Sequence, residues 1–126
     1  MIKKRPSKKE IFKKIKDAKS LVQTNRIAVL NPDKALFFDA QELGYDILTE
    51  LKDLLMELLK NSHPSNYAGA YPPQKSYESK IQDMELWAFT VETDFFEQQV
   101  KVYFKFSLKD GIFYLVSLHK DRGRKG

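Results

Sequence analysis

Five residues near the end of the chain have the types needed to act on a phosphodiester: Lys101, Tyr103, Lys105, Ser117 and His119. An imidazole moves a proton near neutral pH. A phenol positions or protonates an oxygen, and an ammonium holds the negative charge that develops on a reacting phosphate. With RNA as substrate the 2′-hydroxyl is itself a nucleophile, so this chemistry asks for neither metal nor cysteine. Other chemistries lack their residues. The 126-residue chain has no cysteine, which removes disulfides, thiolate zinc sites, iron–sulfur clusters and cysteine nucleophiles and favours a reducing cytoplasm. It has no Gly-rich phosphate loop, no HExxH and no GxSxG. The acidic stripe Asp46, Glu50, Asp53 and Glu57 has no His or Cys to complete a metal site and reads as a solvated helix face. No metal or cofactor is expected.

Whether those five residues share a face depends on hairpin register. A two-residue Asp110-Gly111 turn pairs Phe104 with Ser117 and Val102 with His119, setting polar groups on an apolar face. A three-residue Lys109-Asp110-Gly111 loop pairs Phe104 with Val116 and Val102 with Leu118, so apolar meets apolar. Burying unpaired polar groups costs about 1–3 kcal/mol each, and the second register is therefore expected. It sets Lys101, Tyr103 and Lys105 beside Ser117 and His119, with Phe113 and Leu115 on the same side.

The elements that must position this hairpin follow from periodicity. Ser7 and Glu10 have capping-box spacing, and Ile11, Ile15, Ala18 and Val22 recur at helical intervals behind them. Residues 26–38 read as a short strand or a turn of helix, broken at Asn31-Pro32-Asp33. A second helix carries Ile47, Leu51, Leu54 and Leu58 in one row, with Leu48, Leu55 and Leu59 beside it. Gly44 precedes it, and the run from Asn61 through His63 to Pro64 ends it. Residues 61–80 form a long Pro/Tyr loop, functional or mobile rather than idle on its length, from which Lys75 and Lys80 can reach over the sheet face. Strands are expected over 85–92, 98–108 and 112–119, with Trp87 in the core or at a partner contact. The result is one α+β domain, 1–126: two N-terminal helices on one face of a small antiparallel sheet.

Charge is uneven along this frame. The whole-chain +5 resolves into +7 over residues 1–19, −5 over 20–118 and +3 over 119–126. The basic N-terminal segment 1–9 and the basic tail 120–126 would draw a polyanion to the two ends. No stretch approaches the ~20 apolar residues of a membrane span, and the Lys-rich start leads into a charged amphipathic helix rather than a secretory signal.

Several short motifs carry a family resemblance. They are Lys19-x-Leu21-Val22, Glu42-Leu43-Gly44-x-Asp46, Val102-Tyr103-x-Lys105, and Val116-Ser117 leading to His119-Lys120. Spread over about residues 14–120, they resemble the MqsR family of mRNA interferases, which have a RelE-like fold. The resemblance implies a ribosome-independent, metal-independent mRNA endoribonuclease, the toxin of a type II toxin–antitoxin pair, held silent by a cognate antitoxin protein. It implies that Tyr103 is catalytic, that His119 stands where the family has a terminal Lys, and that an upstream Lys maps to Lys75 or Lys80. Ala88 follows Trp87 where the family has Gln, so the family's site preference does not carry over. The catalytic set expected is Tyr103, Lys105, His119 and Lys75; Lys80, Lys101, Lys120 and Arg122 are expected to hold RNA. Two other readings fit the basic ends: a non-catalytic RNA- or ribosome-binding module, and a subunit docking an acidic protein.

Overall fold

The computed structural model describes residues 6–30 and 34–121, with backbone alone for 34–37. Helix α1, Lys8–Gln23, starts on the expected box: Ser7 Oγ accepts from the Glu10 amide at 3.0 Å, and Glu10 Oε1 accepts from the Ser7 amide at 3.3 Å. Its apolar row Ile11, Ile15, Ala18 and Val22 is buried. The ambiguous segment resolves into two elements: strand β1, Ile27–Val29, and a further helix α2, Lys34–Leu43. Helix α3 is Ile47–Lys60, capped by Asp46 Oδ1, which accepts from the amides of Leu48 and Thr49. So among the described residues three α-helices, not two, precede the main strands.

Gly44 explains why α2 escapes a periodicity reading. At φ +88° it ends α2, and its amide and that of Tyr45 both donate to the Ala40 carbonyl. It is the left-handed stop of one helix rather than a lead into the next. Leu48 also departs from expectation: it is 92% exposed, while Leu51, Leu54, Leu55, Leu58 and Leu59 are buried.

Strands β2 (Trp87–Thr93), β3 (Val100–Lys109) and β4 (Ile112–Lys120) form the expected antiparallel meander. The sheet itself is mixed, in the order β1-β4-β3-β2, because β1 adds parallel to β4. A wholly antiparallel sheet is thus corrected to a four-stranded mixed one. The reason is connectivity: the chain runs from β1 through α2 and α3 before returning, a crossover long enough for parallel pairing.

All three helices contribute to one core against one sheet face, built from Trp87, Phe89, Val91, Val102, Phe104, Phe106, Phe113, Leu115 and Leu118. The opposite face is half covered. At its hairpin-turn end Leu30, Ile81 and Leu86 are buried, with Met84, Tyr114 and Val116 packed around them. Residues 81–86, just after the long loop, supply much of this cover, and the loop itself lines the outer edge of β2, bridging Tyr67 to Phe89 and Lys75 to Glu85. That occupies an edge otherwise open to another chain. The other half of the second face stays polar. That half holds the candidate site.

Candidate functional site

The hairpin reaches its polar face by a route that neither simple register describes. The turn has two residues, Asp110 (φ 51°) and Gly111 (φ 73°), and pairs Lys109 with Ile112, Leu108 with Phe113 and Phe106 with Leu115. Both left-handed residues match the turn that suits the strand twist. A bulge beyond Phe106 then shifts the register, so that Lys105 faces Ser117, Phe104 faces Leu118 and Tyr103 faces His119. The expected three-residue loop is therefore corrected. The energetic requirement that favoured it, polar groups kept off the core face, is met by one extra residue in β4. Phe113 and Leu115, expected on the polar face, lie in the core at 0% and 1% exposure because they precede the bulge.

The polar half-face has an ordered layout. Tyr103 on β3 lies between His119 on β4 and Thr90 on β2, directly opposite each. Flanking rows pair Lys101 with Glu92 and place Lys105 between Ala88 and Ser117. The rings of Tyr103 and His119 stack, with centroids 5.0 Å apart and planes 20° apart. Burial raises the Tyr103 phenol above its ordinary value, so it keeps its proton at neutral pH. His119 Nδ1 lies 2.9 Å from the Lys120 carbonyl. A carbonyl only accepts, so the neutral ring carries its proton on Nδ1 and presents Nε2 as the proton-accepting nitrogen. Chemically, a neutral phenol can give a proton and an imidazole protonated on Nδ1 can take one at Nε2.

Not every expected site residue joins them. Lys101 is exposed and Lys105 half-buried on this face. Lys75 bridges Glu85, whose carbonyl accepts from Ser107 Oγ at 2.9 Å. Ser107 is four residues along β3 from Tyr103, about 13 Å at the usual rise per residue. Lys80 is by the hairpin tip, where its carbonyl accepts from Lys109 Nζ at 3.3 Å. Lys120 pairs with Val102, a core-face residue, and lines a cleft on the helix side with Glu42, Glu50 and Glu97. Arg122 and residues 1–5 lie outside the described residues. Trp87 is in the core, 1% exposed, with Lys14 Nζ 5.6 Å from its ring centroid.

A cleft of about 590 Å³ opens on the β2 side of the polar face, lined in part by His63, Asn66, Thr90, Glu92 and Lys101. Sequence reasoning passed over most of these. His63 reads as helix punctuation, and it does stand at the start of a single 3-10 turn, Pro64–Asn66. Thr90 and Glu92 were within reach: they alternate with Phe89 and Val91, and period 2 puts them on the face of Tyr103. Asn66 stitches the cleft to the sheet, donating from Nδ2 to the Thr90 carbonyl at 3.1 Å and accepting from the His63 amide at 2.8 Å.

Among the described residues no group of three or more His, Cys, Asp or Glu is placed to hold a metal ion, and no helix is long and apolar enough to cross a membrane. Compared with protein-family models and with curated proteins, the chain matches none.

Proposed function

We propose that the chain is a metal-independent RNA endonuclease, an mRNA interferase of the MqsR-like, RelE-fold kind, acting in the cytoplasm as the toxin partner of an antitoxin protein. One observation carries the reading: Tyr103 and His119 are stacked on an open polar sheet face, with Lys101 and Lys105 beside them on β3. His119 Nε2 takes the proton of the RNA 2′-hydroxyl as that oxygen attacks the adjacent phosphorus. The ammonium groups of Lys105 and Lys101 hold the charge gathering on the non-bridging oxygens. Tyr103 gives its proton to the departing 5′-oxygen. The P–O5′ bond breaks as the P–O2′ bond forms, leaving a 2′,3′-cyclic phosphate and a 5′-hydroxyl. Lys75 and Lys80 stand away from this set and take no part in it.

The test is purified protein and RNA with chelator in excess. Cleavage with 2′,3′-cyclic phosphate ends is expected, slowed by about 10²–10⁴-fold in His119→Ala and in Tyr103→Phe. A requirement for added metal, or full rates in both variants, overturns the reading. RNA that is bound but left intact assigns the face to binding alone.

A further inference from the structure

The cleft beside β2 has no part in the proton chemistry, yet it continues the polar face. Thr90, directly opposite Tyr103, lines it, and so does Lys101, which borders Tyr103 on β3. The row His119, Tyr103, Thr90 leads across three strands at steps of about 4.8 Å and ends at Asn66, which is bonded to the Thr90 carbonyl. Its volume, about 590 Å³, lies within the usual range for a small-molecule site. Glu92 gives the cleft a chemical preference. It is exposed and lines the cleft with His63 and Thr90, and its carboxylate makes no hydrogen bond or ion pair with any described residue.

A carboxylate only accepts hydrogen bonds, and it repels phosphate. Among the parts of an RNA strand, the one that fits beside Glu92 is therefore neutral and rich in donors, while phosphate stays toward Lys101. A nucleobase meets that description, and the four bases meet it unequally. Adenine, cytosine and guanine each carry an exocyclic amino group. Uracil has none; its one N–H is flanked by two carbonyl oxygens that would face the carboxylate. His63, at the start of the 3-10 turn, adds an imidazole face on which a splayed base can stack.

We propose that this cleft is a nucleobase subsite that accepts amino-bearing bases through Glu92 and rejects uracil. The proposal rests on the reading of the polar face as an RNA site and names what that site recognises next to the reacting phosphate.

The experiment is a titration of the full chain with AMP, CMP, GMP and UMP, followed by amide chemical shifts. The three amino-bearing nucleotides are expected to move the signals of residues 61–68 and 90–92, with UMP at least tenfold weaker. Glu92→Gln supplies an amide that both donates and accepts, so UMP affinity should rise to within about threefold of the others. Equal binding of UMP by the unaltered chain overturns the subsite, as do shifts confined to Tyr103 and His119. Cleft shifts without RNA cleavage count against the endonuclease alone. Cleavage with a cleft indifferent to base counts against the subsite alone.

Discussion

Tyr103 and His119 owe their different roles to surroundings rather than to residue type alone. The phenol is half-buried against the imidazole, and burial raises its pKa, because the charged phenolate loses more than the neutral phenol when water is withdrawn. The imidazole is oriented by a backbone carbonyl on its Nδ1 side. A raised phenol pKa has a direct kinetic consequence. The form that gives a proton persists above the pH at which an ordinary tyrosine ionises, about 10. Cleavage rates should therefore hold their plateau through pH 10 and fall only beyond it. In Tyr103→Phe the alkaline fall should be shallower than in the native chain, because only the ammonium groups then remain to lose a proton, an ordinary lysine doing so at about 10.4. A rate that declines well below pH 10 in the native chain, and declines identically in Tyr103→Phe, removes the phenol from the mechanism.

At the scale of elements, the two segments that escaped a periodicity reading did so because each depends on one residue that breaks a period. Strand β4 alternates cleanly up to Leu115 and again from Ser117, but the two stretches are out of phase, and Val116 takes up the difference. No rule of strict alternation finds that. It is found by noticing that Phe113, Leu115 and Leu118 all need the core, whereas Ser117 and His119 do not. Helix α2 is hidden in the same way behind Gly44. The capping box of α1, the leucine row of α3 and the positions of the three main strands were legible because local composition and spacing specify them, whereas the phase within β4 was not. Of the candidate site, Lys101, Tyr103, Lys105, Ser117 and His119 were legible as one face. The cleft was not, since its wall comes from a loop whose course follows no period. The bulge can be tested by deletion. Removing Val116 leaves Phe106 opposite Leu115, Lys105 opposite Ser117 and Tyr103 opposite His119, so the chain should still unfold cooperatively in urea. It should lose no more than about 1–3 kcal/mol, the worth of one buried aliphatic side chain, as Val116 leaves the cluster of Leu30, Ile81 and Leu86. Removing Leu118 instead carries His119 onto the core face and should abolish that transition. If the two deletions behave alike, the bulge does not separate the two faces.

For the whole molecule, the layering decides which positive charges can serve the site. The lysines of α1 belong to the largest block of charge in the sequence, residues 1–19, and they fall on the wrong side of the sheet. The buried row of α1 packs in the helix-side core with Val102 and Phe104, so α1, with its exposed Lys8, Lys9 and Lys16, lies against the opposite face of the sheet from Tyr103. Lys120 too lines a helix-side cleft, among Glu42, Glu50 and Glu97. Among the described residues, the cations on the polar face itself are Lys101 and Lys105. Counterion release turns this geometry into a measurable slope. Each phosphate neutralised on a single strand contributes about −0.7 to the dependence of log K on log salt. With a 2′-O-methyl RNA, which binds but lacks the nucleophile, Lys101→Gln and Lys105→Gln should each flatten the slope by about 0.7. Lys8→Gln, Lys9→Gln, Lys16→Gln and Lys120→Gln should leave it nearly unchanged, even though each removes the same charge. The opposite pattern would put the RNA across the helices and out of reach of Tyr103, because a strand lying there is separated from the phenol by the sheet. The slope therefore reports which face of the sheet the substrate lies on, and it does so without requiring that any bond be cut.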